Sequence, residues 1–428
     1  MRNYKLPMSV REIVYIVAAL LLIFEIYLME WIPPIRYVDE AVTVLCLLKI
    51  LSAAFRKGLD RSQSYMLLLM VLLLGIGLVS NYYTKLQENL EAIFTDVGNT
   101  FKVFVTYVGA TLYLRPVKDK KLIIRTLANV IRWFVVVLFV CMILHLTGVV
   151  SMGNDVRYGI PSFEFINFGA GQLSLMFYFI FVILIADLRY DRHRRQLKML
   201  FMIMAAIVWA STLRTRAFLY VVMIFGAYWL LIVKGYEIKM NWKTVLLGVI
   251  FMVIFSLDQI EVYFGNDKAA RYLFLNRGIY TMRKYFPFGA GFACYGTDAA
   301  VKYYAKLYIR YGFPYVWGLS PSQPLFAHDT YWPAIMAQFG FFGLITMGMI
   351  VVHWVKDLLS RARWDKFAYL AALFIAISHV SSSIATATFF HFSTVGIFLL
   401  LPILFDDSDP KKEIGVSYDA SNHLHPHV

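Results

Sequence analysis

Arg214 and Arg216 stand two residues apart between two apolar runs, 197–213 and 217–233, each 17 residues long. A guanidinium is a permanent, fork-shaped cation that suits the oxygens of a phosphate or diphosphate. Each run spans roughly 26 Å as a helix, against ~30 Å for a hydrocarbon core, so the turn between them sits at the headgroup level. Cations at that depth either snorkel to the lipid headgroups or line a polar cavity. With i, i+2 spacing the two point to different helical faces if helical, so at most one of them addresses a site directly. His328, in Ala-His-Asp-Thr-Tyr-Trp-Pro, offers a second kind of chemistry. An imidazole is the side chain best matched to removing a proton near neutral pH. A base and fixed cations together fit attack by a hydroxyl with an anionic leaving group. The plainer alternative for His328 is a structural hydrogen-bonder beside a span.

Arg271, Arg277, Tyr280, Asp329 and Tyr331 belong to the same connection, which is rich in basic and aromatic residues. His379 and His391 are additional candidates near the last two spans. Between Ala299 and Gly312 the spacing predicts one interfacial helix. It would carry Lys302, Lys306 and Arg310 on one row, beside Tyr303, Leu307 and Tyr311. Such a helix either packs as a lid on headgroups or stacks sugars on its tyrosines.

The elements that must position these residues are membrane helices. Of 428 residues 60% are hydrophobic, 17% aromatic and only 16% charged, more apolar surface than a soluble domain of this length buries. The expected fold is an all-α polytopic membrane protein of about 12 transmembrane helices, near 13–30, 37–55, 64–80, 92–114, 124–147, 163–187, 197–213, 217–233, 243–258, 330–354, 364–381 and 386–405. A basic start without a small-residue cleavage site makes the first of these an uncleaved span.

Basic clusters set the orientation. Arg56, Lys57 and Arg61 follow the second span, Arg115, Lys118, Lys120 and Lys121 the fourth, and Arg189, Arg192, Arg194 and Arg195 the sixth. Lys234, Lys239 and Lys243 follow the eighth, and Lys356, Arg361, Arg363 and Lys366 the tenth. All fall on one side, expected to be cytoplasmic together with both termini. The Arg214–Arg216 turn then faces outward, against the usual charge bias.

Four parts follow: 1–257 with spans one to nine, 258–329 as a large helical extracytoplasmic loop carrying site residues, 330–405 with spans ten to twelve, and 406–428 as a cytoplasmic tail. The loop's length and aromatic content point to a folded cap.

The net charge of +14 is dispersed in short clusters rather than gathered in a stripe, so nucleic acid is not an expected partner. Three cysteines form neither a disulfide framework nor a metal pattern. No metal or cofactor is expected: the outer loop has no carboxylate cluster, and Asp406, Asp407 and Asp409 belong to the tail. Ionisable residues also fall in or near spans, among them Glu25, Glu40, Lys49, Asp96, Lys102 and His145.

Three segments carry a resemblance. Leu213-Arg214-Thr215-Arg216-Ala217, then Arg277 ahead of Pro287-Phe288-Gly289-Ala290-Gly291-Phe292, then His328-Asp329-Thr330-Tyr331 leading to Gly340-Phe341-Phe342-Gly343 is similar to the O-antigen ligase and polysaccharide polymerase superfamily. The similarity covers about a third of the chain, roughly 211–350. It implies a metal-independent membrane glycosyltransferase acting on undecaprenyl-pyrophosphate-linked glycans at the outer face of a bacterial inner membrane. His328 would be the base, with Arg216 and Arg277 binding the pyrophosphate. Asp329 stands where the family usually has Asn, and Tyr280 where it often has Trp.

The expected activity is therefore repeat-unit polymerisation for a capsule, exopolysaccharide or O-antigen. Donor and acceptor would both be undecaprenyl-pyrophosphate-linked oligosaccharides, and partners would include membrane lipids, a flippase and a chain-length regulator. The alternatives are a ligase passing finished glycan to another acceptor and, in a different class, a transporter or flippase of lipid-linked oligosaccharide.

Overall fold

The computed structural model describes residues 8–117, 119–153, 155–166, 169–236, 270–327 and 329–405. The ninth expected span at 243–258, Lys118, Lys239, Lys243, residues 258–269, His328 and the tail 406–428 lie outside them. The molecule is 75% helical, and its β-structure among the described residues is one ribbon pairing Val156–Arg157 (β1) with Ile160–Pro161 (β2).

The helices are α1 (Val10–Leu28), α2 (Val38–Phe55), α3 (Arg61–Thr84), α4 (Leu90–Leu114), α5 (Lys121–Leu146), α6 (Ala170–Asp187), α7 (Arg195–Ala210) and α8 (Thr215–Tyr228, extended by a π-turn to Val233). They continue as α9 (Ala270–Lys284), α10 (Asp298–Lys302), α11 (Lys306–Arg310), α12 (Tyr331–Ala362), α13 (Lys366–Ala385) and α14 (Phe392–Leu400). Each expected span inside the described residues thus contains a helix. Five of these, at 61–84, 121–146, 215–233, 331–362 and 366–385, are long and apolar enough to cross a membrane. The chain is an all-helical protein of membrane-embedded type.

Local chemistry sets several boundaries. Ser9 and Asp60 open α1 and α3 with reciprocal capping boxes to Glu12 and Gln63, and Asp365 caps α13 through the amides of Phe367 and Ala368. The sixth expected span is shorter than 163–187. Its helix starts only at Ala170, because the ribbon and its Tyr158-Gly159 turn, both at positive φ, occupy the approach.

The connections gather at two ends of the bundle. At one, Arg115 and Arg361 converge on Asp60, Arg189 meets Asp365, and Lys120 donates to the Phe405 carbonyl. At the other, Lys302 meets Glu91, Lys306 meets Glu88, the Phe163 amide donates to the Ser211 carbonyl, and the Trp332 indole donates to Ser383.

The tenth expected span is not one continuous helix. Gly340, at φ 63° and ψ −155°, breaks α12. Segment 287–292 lies against the break, with the Ala290 and Gly291 amides donating to the Ala337 and Gln338 carbonyls at 2.8 Å each. Residues 270–327 also form their own small core, in which Phe274, Tyr295, Tyr308 and Phe313 are fully buried.

The single helix expected over 299–312 is corrected. The chain forms α10 and α11 instead, separated at Tyr304 with φ 42°. Leu307 and Tyr308 are both drawn into the loop core, and the Tyr308 hydroxyl bridges the Gly296 amide and the Ala327 carbonyl. One straight helix would have to present both on one side while keeping its basic row to solvent.

Candidate functional site

The turn between α7 and α8 is held from below. Leu213 takes a left-handed conformation at φ 52°, Ser211 and Thr212 return their hydroxyls to the carbonyls of Val208 and Trp209, and Phe163 clamps Ser211 from outside. Arg214 occupies the position before the first turn of α8, and Arg216 lies within that turn; both are half-buried. A helix N-terminus already carries positive partial charge from its unpaired amides. Two cations placed there oppose the helix dipole by roughly 0.3–1 kcal/mol each, and a bound anion reverses the sign. Arg216 also acts electrostatically on the Tyr178 hydroxyl of α6.

One helical turn below Arg216, the Tyr220 hydroxyl meets Ser381 at 2.9 Å and Ser382 at 3.1 Å, while Tyr178 meets Ser382 at 3.3 Å. Ser383 next to them accepts from Trp332 at 3.1 Å. Trp332 lies three residues beyond Asp329, which forms an ion pair with Arg271 of α9. Arg271 also covers the Phe326 ring at 5.4 Å. Tyr220 of α8 and Trp332 of α12 thus both hydrogen-bond to the serines of α13. Tyr220, Trp332 and the three serines of α13 were not singled out from sequence. Nothing in their spacing distinguishes them from ordinary helix residues.

His328 lies outside the described residues, but both its chain neighbours are fastened. Ala327 accepts from Tyr308 at 3.0 Å, and Asp329 pairs with Arg271.

Arg277 is not brought to this pair. The buried face of α9 runs through Phe274, Gly278 and Thr281. Arg277 and Tyr280 are exposed on another face, with Arg277 over the Tyr311 ring at 5.4 Å and Tyr280 edge-on to it at 6.1 Å. At 100° per residue Arg271 and Arg277 point roughly 120° apart. Burial pushes the Tyr311 hydroxyl above its ordinary pKa, so it stays neutral, 2.8 Å from the Thr281 hydroxyl, while the guanidinium lies over its ring.

Of the remaining candidates, Tyr331 and His379 are buried and His391 is half-buried at a helix end. Tyr331 is fully buried, with its ring against Trp332, Phe389 and Phe390. His379 is 1% exposed; its ring lies 5.2 Å from that of Tyr178 and its Nδ1 3.2 Å from the Ile375 carbonyl. His391 caps α14 by accepting from the Ser393 amide at 3.2 Å.

Among the described residues, no three His, Cys, Asp or Glu side chains converge as a metal would need. The chain matches none of the models of known protein families, and no curated protein matches it in sequence.

Proposed function

We propose that this chain is a polysaccharide repeat-unit polymerase. It moves a growing glycan from undecaprenyl pyrophosphate onto a lipid-linked repeat unit at the outer face of a bacterial inner membrane. In this reading twelve helices cross the bilayer, both termini are cytoplasmic, and the end carrying Arg216, Arg271 and Glu88 faces outward. The observation that carries it is the α8 N-terminus, where Arg214, Arg216 and the helix dipole concentrate positive charge.

A diphosphate leaving group gains negative charge as the glycosidic bond breaks. Fixed cations in a site shielded from water stabilise it without rearranging. Arg216 and Arg271 do this, and Arg214 supports them. The acceptor hydroxyl loses its proton to His328 as its oxygen bonds to the anomeric carbon, a contribution of roughly 10² to 10⁴-fold. Asp329, the next residue in the chain, is tied to α9 by its ion pair with Arg271. Arg277 and Tyr280, on the exposed face of α9, meet the glycan itself, where a tyrosine ring can stack on a sugar.

Purified protein incubated with a lipid-linked repeat unit tests this reading. A ladder of products is expected. A single transfer to a foreign acceptor means a ligase, and movement of the lipid across vesicles without any new bond means a transporter.

A further inference from the structure

Three ionisable side chains from three helices lie buried inside the apolar bundle, outside the arginine site, with a fourth, Glu40 of α2, exposed beside them. Lys102 of α4 donates to Asp39 of α2 at 3.0 Å, and the two are 6% and 1% exposed. Glu25 of α1 is also 1% exposed, and its Oε2 has no hydrogen-bond partner. The charges acting on Glu25 are Asp39 and Glu40 of α2 and Lys102 of α4. Among the described residues the other elements on α1 bring no further charge to it: α5 presents Phe134 to Phe24 and Tyr27, α14 packs Gly396 on Leu22, and Arg36 of the short turn 33–37 is exposed and bonds to the Tyr37 hydroxyl.

If all three carboxyls were ionised, three negative charges and one positive would leave a net charge of minus two. Asp39 is compensated by Lys102, and Glu40 is exposed. Glu25 has no ion-pair partner among the described residues, and an uncompensated buried carboxylate costs several kcal/mol. A proton or a small cation could neutralise it. The Lys102 ammonium repels a second cation at the same oxygens, and no metal-type cluster occurs among the described residues.

We propose that Glu25 is a proton-binding site of the bundle, held as the neutral acid at neutral pH beside the fixed Asp39–Lys102 pair. The inference is independent of the glycosyltransferase reading, since no residue is shared. It assigns a role to an intramembrane carboxyl that glycosyl transfer does not use.

Infrared difference spectra of the full chain in lipid nanodiscs, wild type minus Glu25→Gln, test it. The expected result is a protonated-carboxyl C=O band at neutral pH that is lost in the variant and disappears at alkaline pH. Dicyclohexylcarbodiimide should also form an adduct on Glu25 whose yield sodium chloride does not change. A difference spectrum with only carboxylate stretches at neutral pH overturns the proposal. So does an adduct suppressed by sodium at constant pH, which would mean a bound cation. The variant is nearly isosteric, and the wild-type spectrum is informative on its own.

Discussion

Gly289 and Gly340 meet backbone to backbone, one in the long connection and the other at the break in α12. A Cβ built on Gly340 falls inside contact distance of the Pro287 carbonyl and the Gly289 amide, and one on Gly289 meets the Gln338 carbonyl at 2.5 Å. The break lets segment 287–294 reach the ends of α3 and α4. There Ser80 and Thr84 donate to the Phe288 and Ala290 carbonyls, Asn81 bonds both backbone groups of Phe292, and Asp96 accepts from the Ala293 amide. Phe292 is fully buried against Gly77.

Gly340→Ala should therefore destabilise the protein. Its φ and ψ are essentially restricted to glycine, at a cost of order 1–3 kcal/mol for another residue, with the steric clash in addition. Asn81→Ala should cost about 1–3 kcal/mol by leaving buried amide and carbonyl groups of Phe292 unpaired. Thermal unfolding in detergent should show both losses, and limited proteolysis should cut Asn81→Ala first within 287–294. Unchanged melting of either variant contradicts this account of the docking.

Arg216→Ala should lower the rate of glycan transfer by about 10² to 10³, the usual effect of removing one preorganised donor to a developing anion. Arg216→Lys should recover only part of it, since an ammonium lacks the planar fork. Arg277→Ala should instead weaken binding of long glycans with a smaller effect on the chemical step. Initial rates with lipid-linked acceptors of different length separate the two.

A double-mutant cycle tests the Arg271–Asp329 pair. The side chains are 15% and 26% exposed, so the charges are only partly screened. Arg271→Ala and Asp329→Ala should be non-additive in transfer rate, with a coupling within the 0.5–3 kcal/mol seen for contacting residues. Additive losses would separate this pair from the orientation of His328.

Asp60 makes stability depend on acid. Burial works against its ionisation, but hydrogen bonds from Arg361 and the Gln63 amide, with the charges of Arg361 and Arg115, outweigh burial and hold its carboxyl below the ordinary range. A depressed folded pKa contributes stability above the unfolded value of about 3.9, and that stability is lost as pH falls through the folded value. Asp60→Asn keeps a good helix cap and removes the charge. Its melting temperature should fall below wild type near neutral pH, and the gap should narrow as pH falls below about 4 and close once the folded carboxyl is protonated. A gap that persists in acid would assign the effect to packing.

Helix positions and the grouping of basic connections were legible in the residues alone. Hydrophobic length and charge asymmetry are summed over many positions, so single errors average out. Four features were not legible: the α12 break at Gly340, the division of 299–312 into two short helices, the separation of Arg271 from Arg277, and the burial of Glu25 beside Asp39 and Lys102. Each depends on which surface arrives from a distant part of the chain. A glycine inside an apolar run reads as helix until another backbone is pressed against it. Two arginines six residues apart look equivalent until one face of their helix is buried. Local spacing fixes where a side chain can point, and only packing decides what it points at.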